Sequence, residues 1–180
     1  MELIPCKVEE RQPAVFWMES YRISRLYGLS PQCKSFLFRL IHTLLPSRER
    51  VHNLTPSTSP LCWCGTGSTE DYQHLFFHCP KNQNAGQSLL RCIQSYDRAA
   101  SDVRSLRLDL VADDSFLLPS VAILGTGLEL IWENRKQKKT TTLFDMRSEL
   151  ELAVSIRRRS RSKNVRESAQ IMENITTNFC

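Results

Sequence analysis

No apolar run in this 180-residue chain approaches the roughly 20 residues that a membrane-spanning helix needs. The nearest, Phe116–Leu124, is interrupted by Pro119 and runs into Gly125 and Gly127. A secretory leader pattern is also missing, since Met1–Glu10 is polar and charged. The seven cysteines are odd in number and partly clustered, which argues against a secreted disulfide scaffold. There is no internal repeat. Gly125-Thr126-Gly127 has neither the Lys-Ser/Thr nor the preceding strand of a phosphate loop, and marks a helix kink or a close packing point instead. These absences point to an intracellular chain, nuclear or cytoplasmic, neither secreted nor membrane-bound. What remains is ordinary for a globular protein: 41% hydrophobic and 8% aromatic residues, with enough length to bury a real core.

The densest chemistry lies in Leu61–Pro80, LCWCGTGSTEDYQHLFFHCP, which holds three of the seven cysteines and two of the four histidines. Zinc takes four thiolate or imidazole ligands in a tetrahedron, and a short segment supplies them only if it turns back on itself. Alternation along an extended segment puts Cys62 and Cys64 on one face and Trp63 on the other. Gly65 and Gly67 allow a sharp turn. Thr69 is the expected N-cap of a helix that follows, with Glu70 and Asp71 at its positive end. On an α-helix His74 and His78 share a face, whereas His74 and Cys79 do not. Pro80 pushes Cys79 out of helical geometry and frees it to swing back. The set Cys62, Cys64, His74 and Cys79 fits best, with His78 as the alternative fourth ligand. Such a site is structural, because four protein ligands leave no open position for a catalytic water.

The rest of the chain reads as mainly α, a small helical domain with one zinc-stapled turn. Helices are expected over Val15–Leu29, from Ser30-Pro31 to Leu45 with Pro46 as the stop, and over Asn82–Tyr96, Ser115–Gln137 and Thr142–Arg161. Ser47 starts a short basic turn through Leu54. Cys92 falls on the core face of its helix. Lys163–Cys180 is expected to be frayed or weakly packed. A break near Ala99–Arg104 divides a zinc-bearing part, 1–98 with its core at 30–96, from a basic helical part, 99–180. Asp113-Asp114 echoes a polymerase metal-binding pair, but no template-binding segment accompanies it, and a helix cap is the simpler reading.

Charge is uneven. Ile131–Arg166 carries seven Arg and four Lys against three Glu and one Asp, so its net charge of +7 exceeds the +5 of the whole chain. ENRKQKK and RRRSRSK are its densest runs and suit phosphate neutralisation, although basic runs on helices are commonly just solvated faces.

Cys62, Cys64, Gly65, Glu70, His74, Leu75, Phe76, Cys79 and Pro80 together resemble the zinc-binding region that follows the reverse transcriptase of non-LTR (LINE-type) retrotransposons. Ser35–Leu54 is similar to the helix, Leu-Pro and Arg-x-Arg segment that precedes the ligands in that family, and LELIWENRKQ to its later helix with a Trp and an Asn-Arg pair. The family's first cysteine pair is usually spaced by two residues; here Trp63 alone intervenes. The resemblance implies a non-catalytic, zinc-dependent module that contacts element RNA or target DNA. On that reading Arg48, Arg50 and Trp63 beside the site, and Arg157, Arg158, Arg159, Arg161 and Lys163 in the basic third, are the nucleic-acid candidates. The alternatives are a helical protein-interaction module in which zinc is only a staple, or an inactive gene fragment.

Overall fold

The first described helix begins where Ser30 accepts a hydrogen bond from the Cys33 amide at 3.0 Å, with Pro31 in the first turn. The computed structural model describes residues 29–96 and 117–177. Among them lie α1 (Pro31–Ile41), α2 (Arg48–Leu54), a π-helical turn (His74–His78), α3 (Gln83–Tyr96), α4 (Leu117–Lys136), α5 (Leu143–Arg158) and α6 (Lys163–Thr176). Extended pairing among the described residues is limited to an isolated antiparallel bridge between Leu61 and Thr69. The fold is therefore mainly helical, as the sequence suggests. Most of the expected Val15–Leu29 helix, the break near 99–104 and the Asp113-Asp114 pair lie outside the described residues.

Helix α1 stops earlier than Pro46 would impose. Thr43 takes a left-handed conformation (φ 54°), its amide bonds the Leu40 carbonyl and the Leu44 amide bonds the Arg39 carbonyl. This is a Schellman ending, usually built on glycine. It turns the chain so that Leu45 becomes fully buried. Helix α2 then starts at Ser47, whose hydroxyl accepts from the Arg50 amide at 3.2 Å.

Helix α4 is the centre of the molecule. Val121, Ile123, Leu124, Leu128 and Ile131 are essentially inaccessible, and α4 packs on α1, α3, α5 and α6. A Cβ at Gly125 would sit 2.7 Å from the Cys33 sulfur on α1, and one at Gly127 would sit 2.7 Å from Leu89 on α3. The Gly-x-Gly pair is thus a packing device. Cys92 on α3 is buried, as its helical position implies.

The C-terminal stretch corrects an expectation. Lys163–Thr176 is a docked helix, with Val165, Ala169, Met172 and Ile175 buried on one stripe against α5 and α4. Its apolar spacing outweighs its place near the end of the sequence. One hydrophobic cluster runs from Leu29 on the α1 side through α3 and α4 to Ile175.

Candidate metal centre

The hairpin that carries the first two cysteines is closed by backbone pairing. The Cys62 amide donates to the Ser68 carbonyl at 2.8 Å and the Glu70 amide to the Pro60 carbonyl at 2.9 Å. Gly65 (φ 85°) and Gly67 (φ 75°) make the reversal between them in a region that side chains disfavour. Thr69, expected as a helix cap, lies in the bridge with Leu61 instead. Capping falls to Asp71, whose carboxylate accepts from the His74 amide at 2.6 Å.

The second pair of donors is brought together by an unexpected piece of backbone. His74–His78 is a π-helical turn, and the Cys79 amide donates to the His74 carbonyl five residues back, at 2.6 Å. An α-helix would put positions five apart on different faces. The wider π turn returns the chain to the His74 side after five residues, and Cys79 then leaves it in an extended conformation (ψ 124°). Asn82 supports the turn by donating to the Leu75 carbonyl at 3.1 Å.

The result is a four-donor cluster. One ligand atom each from Cys62, Cys64, His74 and Cys79 lies within 4.8 Å of the others. The Cys62 and Cys79 sulfurs are 3.9 Å apart, and the Cys64 sulfur is 3.4 Å from His74 Nε2. A zinc tetrahedron with ordinary bond lengths has edges of about 3.8 Å between sulfurs and about 3.5 Å between sulfur and nitrogen. The four donors thus fit zinc in chemical type, and these two pairs fit it in spacing. His78, the alternative ligand, is exposed and outside the cluster.

Electrostatics differ across the cluster. Burial pushes the Cys62 and Cys79 thiols above the ordinary range. Burial also acts to raise Cys64, but hydrogen bonds from Thr66 and from the His74 ring outweigh it and bring that thiol down to about 6. Thiols so desolvated become ligands only when a cation offsets their charge, and metal binding therefore releases protons.

Around the cluster, the candidate arginines are occupied. Arg48 donates from Nη1 to the Leu61 carbonyl at 2.8 Å, and Arg50 donates to the Thr43 carbonyl. Trp63 is half-buried, with the Lys81 ammonium 5.9 Å from its ring centroid. In the basic third, Arg157 is 5% exposed and bonds the Ala153 carbonyl, so it faces the core and not solvent. Arg158 pairs with Glu173, Lys163 with Glu167, and Arg158, Arg159, Arg161 and Lys163 are all exposed. Two residues that hold the site in position are not among the candidates. Arg135 on α4 pairs with buried Glu70, and Tyr72 donates to the Leu45 carbonyl at 2.7 Å. Arg135 was visible only as part of the Asn-Arg pair after Trp132.

Residues 8–85 match the family model described as zinc-binding in reverse transcriptase. This stretch is similar to reverse transcriptase zinc-binding domains. It takes in α1, α2, the four donors and the start of α3, while α4–α6 lie beyond it. No curated protein and no solved structure matches the chain.

Proposed function

We propose that the chain is a non-catalytic zinc-binding module derived from a retrotransposon polyprotein, that its zinc is structural, and that it binds RNA or DNA. The observation that carries the reading is the closed Cys3His set of Cys62, Cys64, His74 and Cys79, in a segment of the reverse transcriptase zinc-binding type. Four protein donors saturate a tetrahedral ion, so zinc would fix the hairpin and the π turn and offer no site to a reacting water. The basic excess of the C-terminal third supplies the electrostatic attraction that sequence-independent nucleic-acid binding requires. Among the described residues no helix is long and apolar enough to cross a membrane. An intracellular site of action, nuclear or cytoplasmic, accords with the free thiols among the described residues.

A second reading has one observation in its favour. Arg48 and Arg50 are committed to backbone carbonyls, as expected if the metal region were a staple for a protein-interaction module. Binding of metal-loaded protein to labelled single-stranded RNA and DNA across a salt series separates the two. Affinity that falls steeply with salt supports the nucleic-acid reading, and no binding at low salt removes it. Template-dependent nucleotide incorporation by the purified chain would overturn the non-catalytic assignment.

A further inference from the structure

The two basic runs of the C-terminal third lie at opposite ends of α5. That helix has 16 residues, so the runs are separated by about 24 Å along its axis. Only one of them adjoins the metal centre. The Thr141 amide donates to the Lys81 carbonyl at 3.3 Å, which fixes the turn between α4 and α5 beside the segment just after Cys79. Thr141 is itself buried and accepts from Asn134 at 3.2 Å. Lys81 is therefore a junction. Its backbone meets the turn, and its ammonium is held over the Trp63 ring, between Cys62 and Cys64.

The turn has a second unusual property. Lys138 adopts a left-handed conformation (φ 53°), its amide bonds the Arg135 carbonyl at 3.0 Å, and the Lys139 amide bonds the Asn134 carbonyl at 2.8 Å. This Schellman ending has lysine where glycine would be unstrained. Side chains kept at strained backbone positions are more often found at functional sites than elsewhere. Lys136, Lys138 and Lys139 are exposed here. The carboxylates facing them are Glu133, 2.6 Å from Lys136, and the partly buried Asp145, 3.7 Å from Lys139; both lysines are exposed, and a phosphate can take their ammoniums from these partners.

We propose that Lys81, Lys138 and Lys139 form one phosphate-binding face for single-stranded nucleic acid, continuous with the metal hairpin, with Trp63 as the positioning residue for Lys81. This rests on the nucleic-acid reading above and names its surface. It places the contact at the α4–α5 turn, whereas Arg158, Arg159, Arg161 and Lys163 stand at the far end of α5.

The test is the salt dependence of binding to fluorescein-labelled oligouridine and oligothymidine by metal-loaded protein. Lys81→Gln, Lys138→Gln and Lys139→Gln combined should reduce the slope of log affinity against log salt by about 2, given roughly 0.7 per phosphate contact on a single strand. Arg158→Gln, Arg159→Gln, Arg161→Gln and Lys163→Gln combined should leave that slope unchanged. Lys138→Gly gives a second readout. It should keep or raise the melting temperature, because glycine relieves the strained backbone, while lowering the slope by about 0.7. A slope that responds to the four-residue set and not to the three lysines overturns this face and leaves the nucleic-acid reading standing. Absence of binding by the wild type at low salt overturns both.

Discussion

Glu70 and Arg135, 65 residues apart in sequence, form an ion pair that ties the hairpin bearing Cys62 and Cys64 to the central helix. The carboxylate is fully buried and the guanidinium side chain is 14% exposed. The same Glu70 oxygen accepts from the Arg48 amide at 3.1 Å at the start of α2. Arg135 also donates to the Pro46 carbonyl at 3.2 Å and lies 4.7 Å from the Trp132 ring centroid. One carboxylate thus joins the hairpin, α2 and α4. Replacing Arg135 with Leu would strand a buried charge and should cost about 3–5 kcal/mol. Urea denaturation of metal-loaded protein measures it. Combining Arg135→Leu with Glu70→Gln should cost clearly less than the two single changes added together. Simple additivity would show that the pair is not coupled.

The metal assignment makes a sharper claim. Freshly purified protein should contain about one zinc per chain, as a closed four-ligand site would. Cys64→Ser, His74→Ala and Cys79→Ser should each lose most of it, and His78→Ala should retain it. Elemental analysis decides. Loss of zinc in the His78 variant with retention in the Cys79 variant would reverse the choice of fourth ligand. Chelation of the wild type should also lower its thermal stability, since the hairpin and π turn lose their common tether.

The π turn itself can be attacked from α3. A methyl group at Gly86 would collide with the Phe76 carbonyl oxygen. In an ordinary exposed helix Gly→Ala stabilises by roughly 0.5–1 kcal/mol. Here the sign should reverse, with a loss of about 1–3 kcal/mol from overpacking. Because the colliding carbonyl belongs to the turn that positions His74 and Cys79, zinc affinity should fall as well. Competition with a chromogenic chelator measures that effect. A Gly86→Ala variant with wild-type stability and affinity would show that the turn shifts freely.

The four donors that cluster could be read from sequence because donor spacing, Gly65, Gly67 and Pro80 all bear on one short segment. The mechanism that closes it could not. Residue preferences do not encode an i→i+5 hydrogen bond, and α-helical spacing alone puts His74 and Cys79 on different faces. Helix ends failed for a related reason. Thr43 ends α1 in a conformation normally given to glycine, while Pro46, the visible stop signal, is never reached by the helix. Asp71 displaced Thr69 as the cap because Thr69 was already held in the bridge with Leu61. Arg157 reads as one of a row of surface arginines, yet the 100° step between helix neighbours turns it inward while Arg158 and Arg159 stay outside. Charge runs do not reveal which member faces the core.

The start of α5 offers a test that is independent of the metal. Thr142 and Asp145 form a reciprocal capping box: the Thr142 hydroxyl accepts from the Asp145 amide at 3.1 Å, and the Asp145 carboxylate accepts from the Thr142 amide at 3.1 Å. The Thr142 backbone and hydroxyl bonds hold the Asp145 carboxyl below its ordinary value of 3.8. A carboxyl depressed in the folded state stabilises the fold above its unfolded pKa, and the contribution is lost as pH falls through the folded value. At neutral pH, Thr142→Ala should cost about 1 kcal/mol. The stability gap between wild type and Asp145→Ala should stay constant from neutrality down to about pH 5 and narrow below the unfolded pKa of about 4. Any acid weakening that the two proteins share cancels in the difference. A gap that persists unchanged below pH 3 would mean that Asp145 contributes through packing and not through its charge.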